Sequence, residues 1–252
     1  IIGLTASPGS DLEKIQEVCK NLYIEEIEIR TDKDPDVRPY VYEININWVN
    51  VELPKVFLEA RKYLQDFLNS RLEKLKQWGI LRRTDLKYVS KTDLLSLQAQ
   101  LRGRVSSGEK DFVLWNAISV LAEIMKVSHG LELLETQGII PLYKYMGRFN
   151  SDASTTKVKA VKNIVKDLNF RSAFVKVSKL YEEKVEHPKL IELQKIVEKE
   201  IEENKDKKII VFNQYRDNAV DVVEKLNSID GANAKLFVGQ LKKGGTGLSQ
   251  KE

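Results

Sequence analysis

The sequence predicts an α/β fold with a large all-α insert, and three observations carry that expectation. Runs rich in β-branched residues fall only towards the two ends, at 1–4, 24–30, 42–48, 208–212 and 234–238. Between Pro54 and about Lys184 the apolar residues recur at helical spacing instead, with no convincing strand. The character changes at Pro54 and again at Glu186-His187-Pro188-Lys189, which divides the chain into an α/β segment over 1–48, a helical insert over 49–185 and a second α/β segment over 186–252.

In chain order, Ile1-Ile2-Gly3-Leu4 reads as the end of a buried strand, followed by a turn at Thr5-Ala6-Ser7-Pro8-Gly9. A helix follows, with Ser10 and Glu13 as its capping box. Ile15, Val18, Cys19 and Leu22 form its apolar face, which makes Cys19 a small buried hydrophobe rather than a nucleophile. Ile24 to Arg30 is β-rich, Asp34-Pro35-Asp36 breaks the chain, and Tyr42, Ile44, Ile46 and Trp48 alternate as in a half-exposed strand.

The insert opens at Pro54, which suits a first helical turn. Val56, Phe57, Ala60, Tyr63, Leu64, Phe67, Leu68, Leu72 and Leu75 then recur at helix spacing until Gly79. Leu94, Leu95, Leu97 and Leu101, and then Phe112 through Leu134, supply further helices, separated by a loop from Gly103 to Gly108. Trp115, Ile118, Leu121, Ala122 and Met125 read as core, as do Trp48 and Trp78, and His129 reads as a satisfied or solvent-facing histidine. Val158, Val161, Ile164, Val165 and Leu168 mark one helix face. Lys159, Lys162 and Lys166 fall at i, i+3 and i+7 on another, where like charges repel unless an anion lies nearby.

Beyond the insert the pattern predicts a helix around Leu190 to Ile201, a strand over 208–212, a helix to Leu226, a strand over 234–238 and a glycine-rich loop from Lys242 to Gly247. That alternation is the opening of a doubly wound parallel-sheet domain.

Composition narrows the function. The chain is 42% hydrophobic and 31% charged, and no stretch approaches the roughly 18 to 20 apolar residues of a membrane span, so a cytoplasmic or nucleoid setting is expected. One cysteine and two histidines, His129 and His187, leave no disulfide and no metal-ligand cluster. The net charge is only +4, but it is unevenly spread: residues 11–36 carry −5, residues 82–110 carry +4 and residues 144–184 carry +6. Two basic segments make nucleic acid a reasonable partner.

Leu4-Thr5-Ala6-Ser7-Pro8-Gly9-Ser10 resembles motif III of superfamily 2 helicases. The ordered run His187-Pro188-Lys189-Leu190, then Ile209 to Arg216, then Phe237-Val238-Gly239-Gln240 and Gly247-Leu248-Ser249-Gln250 resembles the start of the second lobe in Hef and Fanconi anaemia M-type helicases. The resemblance covers essentially the whole chain. It implies that the two α/β segments are partial RecA-like lobes and that the insert is a thumb-like domain recognising forked or branched DNA. It also implies that Thr5, Ala6, Ser7 and Pro8 couple nucleotide hydrolysis to movement, and that Asn213, Gln214, Tyr215, Arg216, Gly239 and Gln240 meet nucleic acid. Charge and location alone add Arg82, Arg83, Lys87, Arg102, Arg104, Lys159, Lys162 and Lys166 as backbone contacts.

The resemblance further implies ATP and Mg in the intact parent and partners among replication and repair proteins. The nearest approach to a phosphate-binding loop, Gly239-x-x-x-x-Gly244-Gly245-Thr246, has glycine where the lysine must stand, so this chain alone is not expected to bind or hydrolyse ATP. Two other readings compete: a double-stranded RNA helicase of the RIG-I-like or Dicer group, and a non-catalytic protein-interaction adaptor whose insert exposes a large apolar patch.

Overall fold

The computed structural model describes residues 3–5, 9–42, 44–81, 89–213 and 216–237, with Arg216 and Asp217 described by backbone alone. The chain separates into two compact units, one ending at Val49 and one beginning at Asn50.

In the first unit, helix α1 (Leu12–Asn21) starts one residue later than the capping box would place it. Asp11 is the cap, and its carboxylate accepts from the Glu13 and Lys14 amides at 3.1 and 3.4 Å. Tyr23, at φ 55°, turns the chain away, and a single 3₁₀ turn forms at Arg38–Tyr40. α1 buries no residue, and Cys19 is only partly covered.

In the second unit, α2 (Lys55–Gln77) follows Pro54 and ends at Gly79, whose φ of 68° supplies the left-handed residue a helix end calls for. Phe57, Ala60, Leu64, Phe67, Leu68, Leu72 and Leu75 lie in one buried stripe along it. Around α2 pack α4 (Phe112–Thr136) and α7 (Leu168–Glu182). α3 (Lys91–Ser106) and α5 (Ile139–Asp152) lean on α4, and the short α6 (Lys159–Lys166) closes the bundle against α4, α5 and α7. The shared core includes Phe57, Phe67, Leu121, Ile124, Leu142 and Val177. Each such side chain contributes roughly 1.5–3 kcal/mol by leaving water. A smaller core joins α8 (Pro188–Glu203) to α9 (Arg216–Asn227) through Val197, Val222, Leu226 and Ile229.

The helical bundle is therefore present, and no sheet occurs among the described residues. No strand occurs among the described residues, so none forms within the described parts of 24–30, 42–48, 208–212 and 234–238, all expected as strands, Glu43 and Val238 lying outside the described residues. The cause is physical: a β-rich run becomes a strand only when a neighbour accepts its backbone hydrogen bonds. Here Ile210, Phe212, Ile44 and Trp48 are exposed. Finer expectations also change, and Trp48, read as core, is 86% exposed. α3 runs through Gly103 to Ser106, so the loop begins only near Gly108, at φ 94°. Trp115, expected in the core, is 55% exposed because Leu114, Ala117, Leu121 and Ile124 occupy the face of α4 that points inward.

Candidate nucleic-acid interface

α6 is an eight-residue amphipathic helix whose sequence, KAVKNIVK, sorts itself at 100° per residue. Ala160, Val161 and Ile164 are buried, while Lys159, Lys162 and Lys166 stand exposed with Asn163 on the other side. The three lysines named from the sequence are thus brought onto one solvent-facing strip.

That strip borders a cleft of about 630 Å³ between α2, α4 and α6. Lys74, Lys159 and Lys166 stand on its walls together with Trp78, Asn116 and Ser119. Lys159 Nζ donates to Asn116 Oδ1 at 2.9 Å, which fixes it over α4.

The floor of the cleft is a buried polar network that sequence reasoning missed. Arg71, 7% exposed, donates from Nε to Glu123 Oε2 at 2.7 Å, from Nη2 to Asp167 Oδ2 at 2.9 Å and from Nη1 to Ser70 Oγ at 3.0 Å. Its guanidinium also lies 4.3 Å from the centre of the Phe67 ring. Asn163 Nδ2 donates to the other Glu123 oxygen at 2.6 Å, and Asp167 at the same time caps α7 by accepting from the Asn169 and Phe170 amides. One guanidinium therefore ties α2 to α4 and to the start of α7, and the two acids are satisfied internally. The signal was in the sequence: position 71 falls inside the α2 apolar stripe, four residues after Phe67 and four before Leu75.

Other sequence candidates fare differently. Arg104 makes a two-pronged pair with Glu109, Nε to Oε2 at 2.8 Å and Nη2 to Oε1 at 2.5 Å, and the two charges hold each other, raising the guanidinium pKa and lowering that of the carboxyl. Arg102 is exposed on α3. Thr5 is exposed, and Ala6, Ser7 and Pro8 lie outside the described residues, as do Arg82, Arg83, Lys87, Gln214, Tyr215, Gly239 and Gln240. Arg216 opens α9.

Asn213 borders a second, larger cleft of about 960 Å³ between the ends of α4, α5 and α7 and the α8–α9 pair. Acids and bases are mixed there, Glu182, Glu186, Asp221 and Glu224 against Lys184, Lys189 and Lys225, and Lys225 is paired with Glu186 at 2.9 Å. Size alone would favour this cleft, but charge favours the smaller one for an anion. His187 lies at its edge, buried, capping α8 by accepting from the Lys189 amide at 3.2 Å. Burial, aided by the Lys189 charge, pushes its pKa down to about 4.

The helices from α2 to His187 match the family model described as "Putative ATP-dependent RNA helicase, helical bundle", over residues 56–187. The chain belongs to the helicase helical-bundle family. Its resemblance to Hef and Fanconi anaemia M-type helicases holds across that bundle and beyond it. It is 38% identical over its whole length to a protein of Methanocaldococcus jannaschii named as a putative ATP-dependent RNA helicase, of which it spans 30%. It is 29% identical to the ATP-dependent DNA helicase mph1 of Neurospora crassa and 28% identical to the ATP-dependent DNA helicase fml1 of Schizosaccharomyces pombe, spanning 22% and 31% of those proteins. Among solved structures, the Pyrococcus furiosus Hef helicase domain superimposes with a TM-score of 0.72 at 38% identity, covering 96% of this chain and 50% of that one. The chain thus spans half or less of each of these relatives. Among the described residues of this helicase-bundle chain, no helix is long and apolar enough to cross a membrane.

Proposed function

We propose that this chain is a segment of an ATP-dependent superfamily 2 DNA helicase that recognises and remodels branched DNA, such as stalled forks and junctions, its helical bundle gripping the DNA backbone. The observation that carries the proposal is the exposed lysine strip of α6, with Lys159, Lys162 and Lys166 on one face of a helicase-family bundle. The names of the fungal relatives support DNA as the substrate.

In this reading residues 1–48 are the C-terminal end of a first RecA-like lobe, residues 49–185 the thumb-like insert and residues 186–252 the start of a second lobe. Their sheets complete against the rest of each lobe in the parent. Thr5, Ala6, Ser7 and Pro8 carry the coupling motif. Asn213 to Arg216, Gly239 and Gln240 meet the strand along the second lobe, with Arg82, Arg83, Lys87 and Arg102 adding backbone contacts. The intact parent uses ATP and Mg, acts in the cytoplasm on nucleoid DNA and works with replication and repair proteins.

The test is binding of the chain to a labelled three-way DNA junction, a plain duplex and double-stranded RNA across a salt series, with and without alanine at Lys159, Lys162 and Lys166. Junction preference, with a salt slope that falls in the triple variant, is the expected outcome. Salt-insensitive or absent binding would overturn the proposal. The family description and the Methanocaldococcus relative carry the word RNA, and preference for double-stranded RNA would move the chain to that branch.

A further inference from the structure

The lysine strip explains a grip on phosphates, but not the aromatic residues beside it. On α4, Phe112, Trp115, Asn116, Ser119 and Glu123 share one face, since steps of three and four residues return to the same side of a helix. Asn116, Ser119 and Glu123 line the smaller cleft. Phe112 and Trp115 continue that face out of the cleft towards the start of the helix, 77% and 55% exposed. From Glu123 to Phe112 the stripe is about 16 Å long at 1.5 Å per residue. That length compares with about 3.4 Å per nucleotide along one stacked strand.

Single exposed aromatic residues are ordinary. Two on one face, adjoining a cleft that holds a third, Trp78, are a platform. The charge beside them is selective: Arg71, Lys74, Lys159 and Lys166 stand against Glu123 and Asp167, and both acids are already engaged by Arg71 and Asn163. The free excess is cationic. Cations along a groove with aromatic faces in series is the chemistry that holds unpaired nucleotides, because every base has a face to stack and every link a phosphate. A regular duplex keeps its bases stacked on one another and can use only the cations.

We propose that the α2–α4–α6 cleft and the Phe112–Trp115 stripe form a track for single-stranded DNA, with phosphates over Lys74, Lys159 and Lys166 and bases stacked on Trp115 and Phe112. This rests on the DNA reading above and adds to it that the bundle holds an unpaired arm rather than duplex alone. Lys162, outside the cleft lining, belongs to duplex contact.

The experiment titrates the whole chain with oligo(dT) of about 12 nucleotides, with a duplex of the same length and with the three-way junction, following tryptophan fluorescence and anisotropy. Oligo(dT) should quench the fluorescence, and Trp115→Ala should weaken its binding by about fivefold or more while shifting duplex affinity by less than about twofold. Trp115→Phe, which keeps a stacking face, should restore most of the loss, and circular dichroism of each variant excludes a folding defect. Unchanged oligo(dT) affinity in Trp115→Ala overturns the track, as does an equal loss for duplex and single strand, or competition by polyglutamate as strong as by oligo(dT). If duplex and junction binding survive while oligo(dT) is ignored, only the track fails. If no DNA binds, both proposals fail.

Discussion

The Arg71 guanidinium donates to Glu123 at 2.7 Å with both side chains almost entirely out of water, Arg71 on α2 and Glu123 on α4. Between them they seal the floor of the cleft, so the rigidity of the candidate interface depends on a charge pair rather than on apolar packing alone. Breaking such a pair from one side strands the other charge, at a cost of about 3–5 kcal/mol. Arg71→Met should therefore lower the unfolding free energy of the bundle, read from urea titration, by that order. The double variant Arg71→Met with Glu123→Leu should recover much of the loss, since no lone buried carboxylate remains at position 123. A double variant no more stable than the single one would mean that the pair is not the source of the cost.

A pH effect follows from His187. Its pKa is held near 4 in the folded chain against an ordinary value of 6.5, so the unfolded chain takes up a proton first as pH falls. Stability is complete above about pH 6.5 and declines between 6.5 and 4, by about 2–3 kcal/mol at the acid end. His187→Asn retains a side chain able to cap α8 and should flatten this slope, as read from unfolding midpoints at pH 7 and pH 4.5.

Gly138 joins α4 to α5 at φ 96°, and a Cβ added there would lie 3.0 Å from His187 Cβ. Backbone strain and the close ring act together, so Gly138→Ala should destabilise the chain by about 1–3 kcal/mol in thermal unfolding. Gly147→Ala, where a new Cβ meets nothing within 4 Å, should cost nothing.

The two basic segments should also differ in DNA binding. Arg104 is held by Glu109, whereas Lys162 stands exposed on the α6 strip. Lys162→Ala should reduce the slope of log K against log salt on a duplex by about 0.9, and Arg104→Ala by close to zero. Equal slopes for the two variants would show that the Glu109 pair opens for DNA.

The sequence alone determined the helices. Apolar residues at three- and four-residue steps marked α2, α4 and the buried face of α6, because a helix satisfies its backbone within itself and needs only a partner for one face. It also put Lys159, Lys162 and Lys166 on a common side, since that depends on helical geometry alone. Tertiary structure decided what spacing cannot carry. It chose which α4 residues face α2, and so sent Trp115 to the surface although it sits among apolar neighbours. It paired Arg71 with Glu123 and Asp167, 52 and 96 residues away, which no local spacing could show. It also formed no strand among the described residues of the β-rich runs, because a strand's hydrogen bonds belong to its neighbours, and no local pattern of Ile and Val supplies the neighbour.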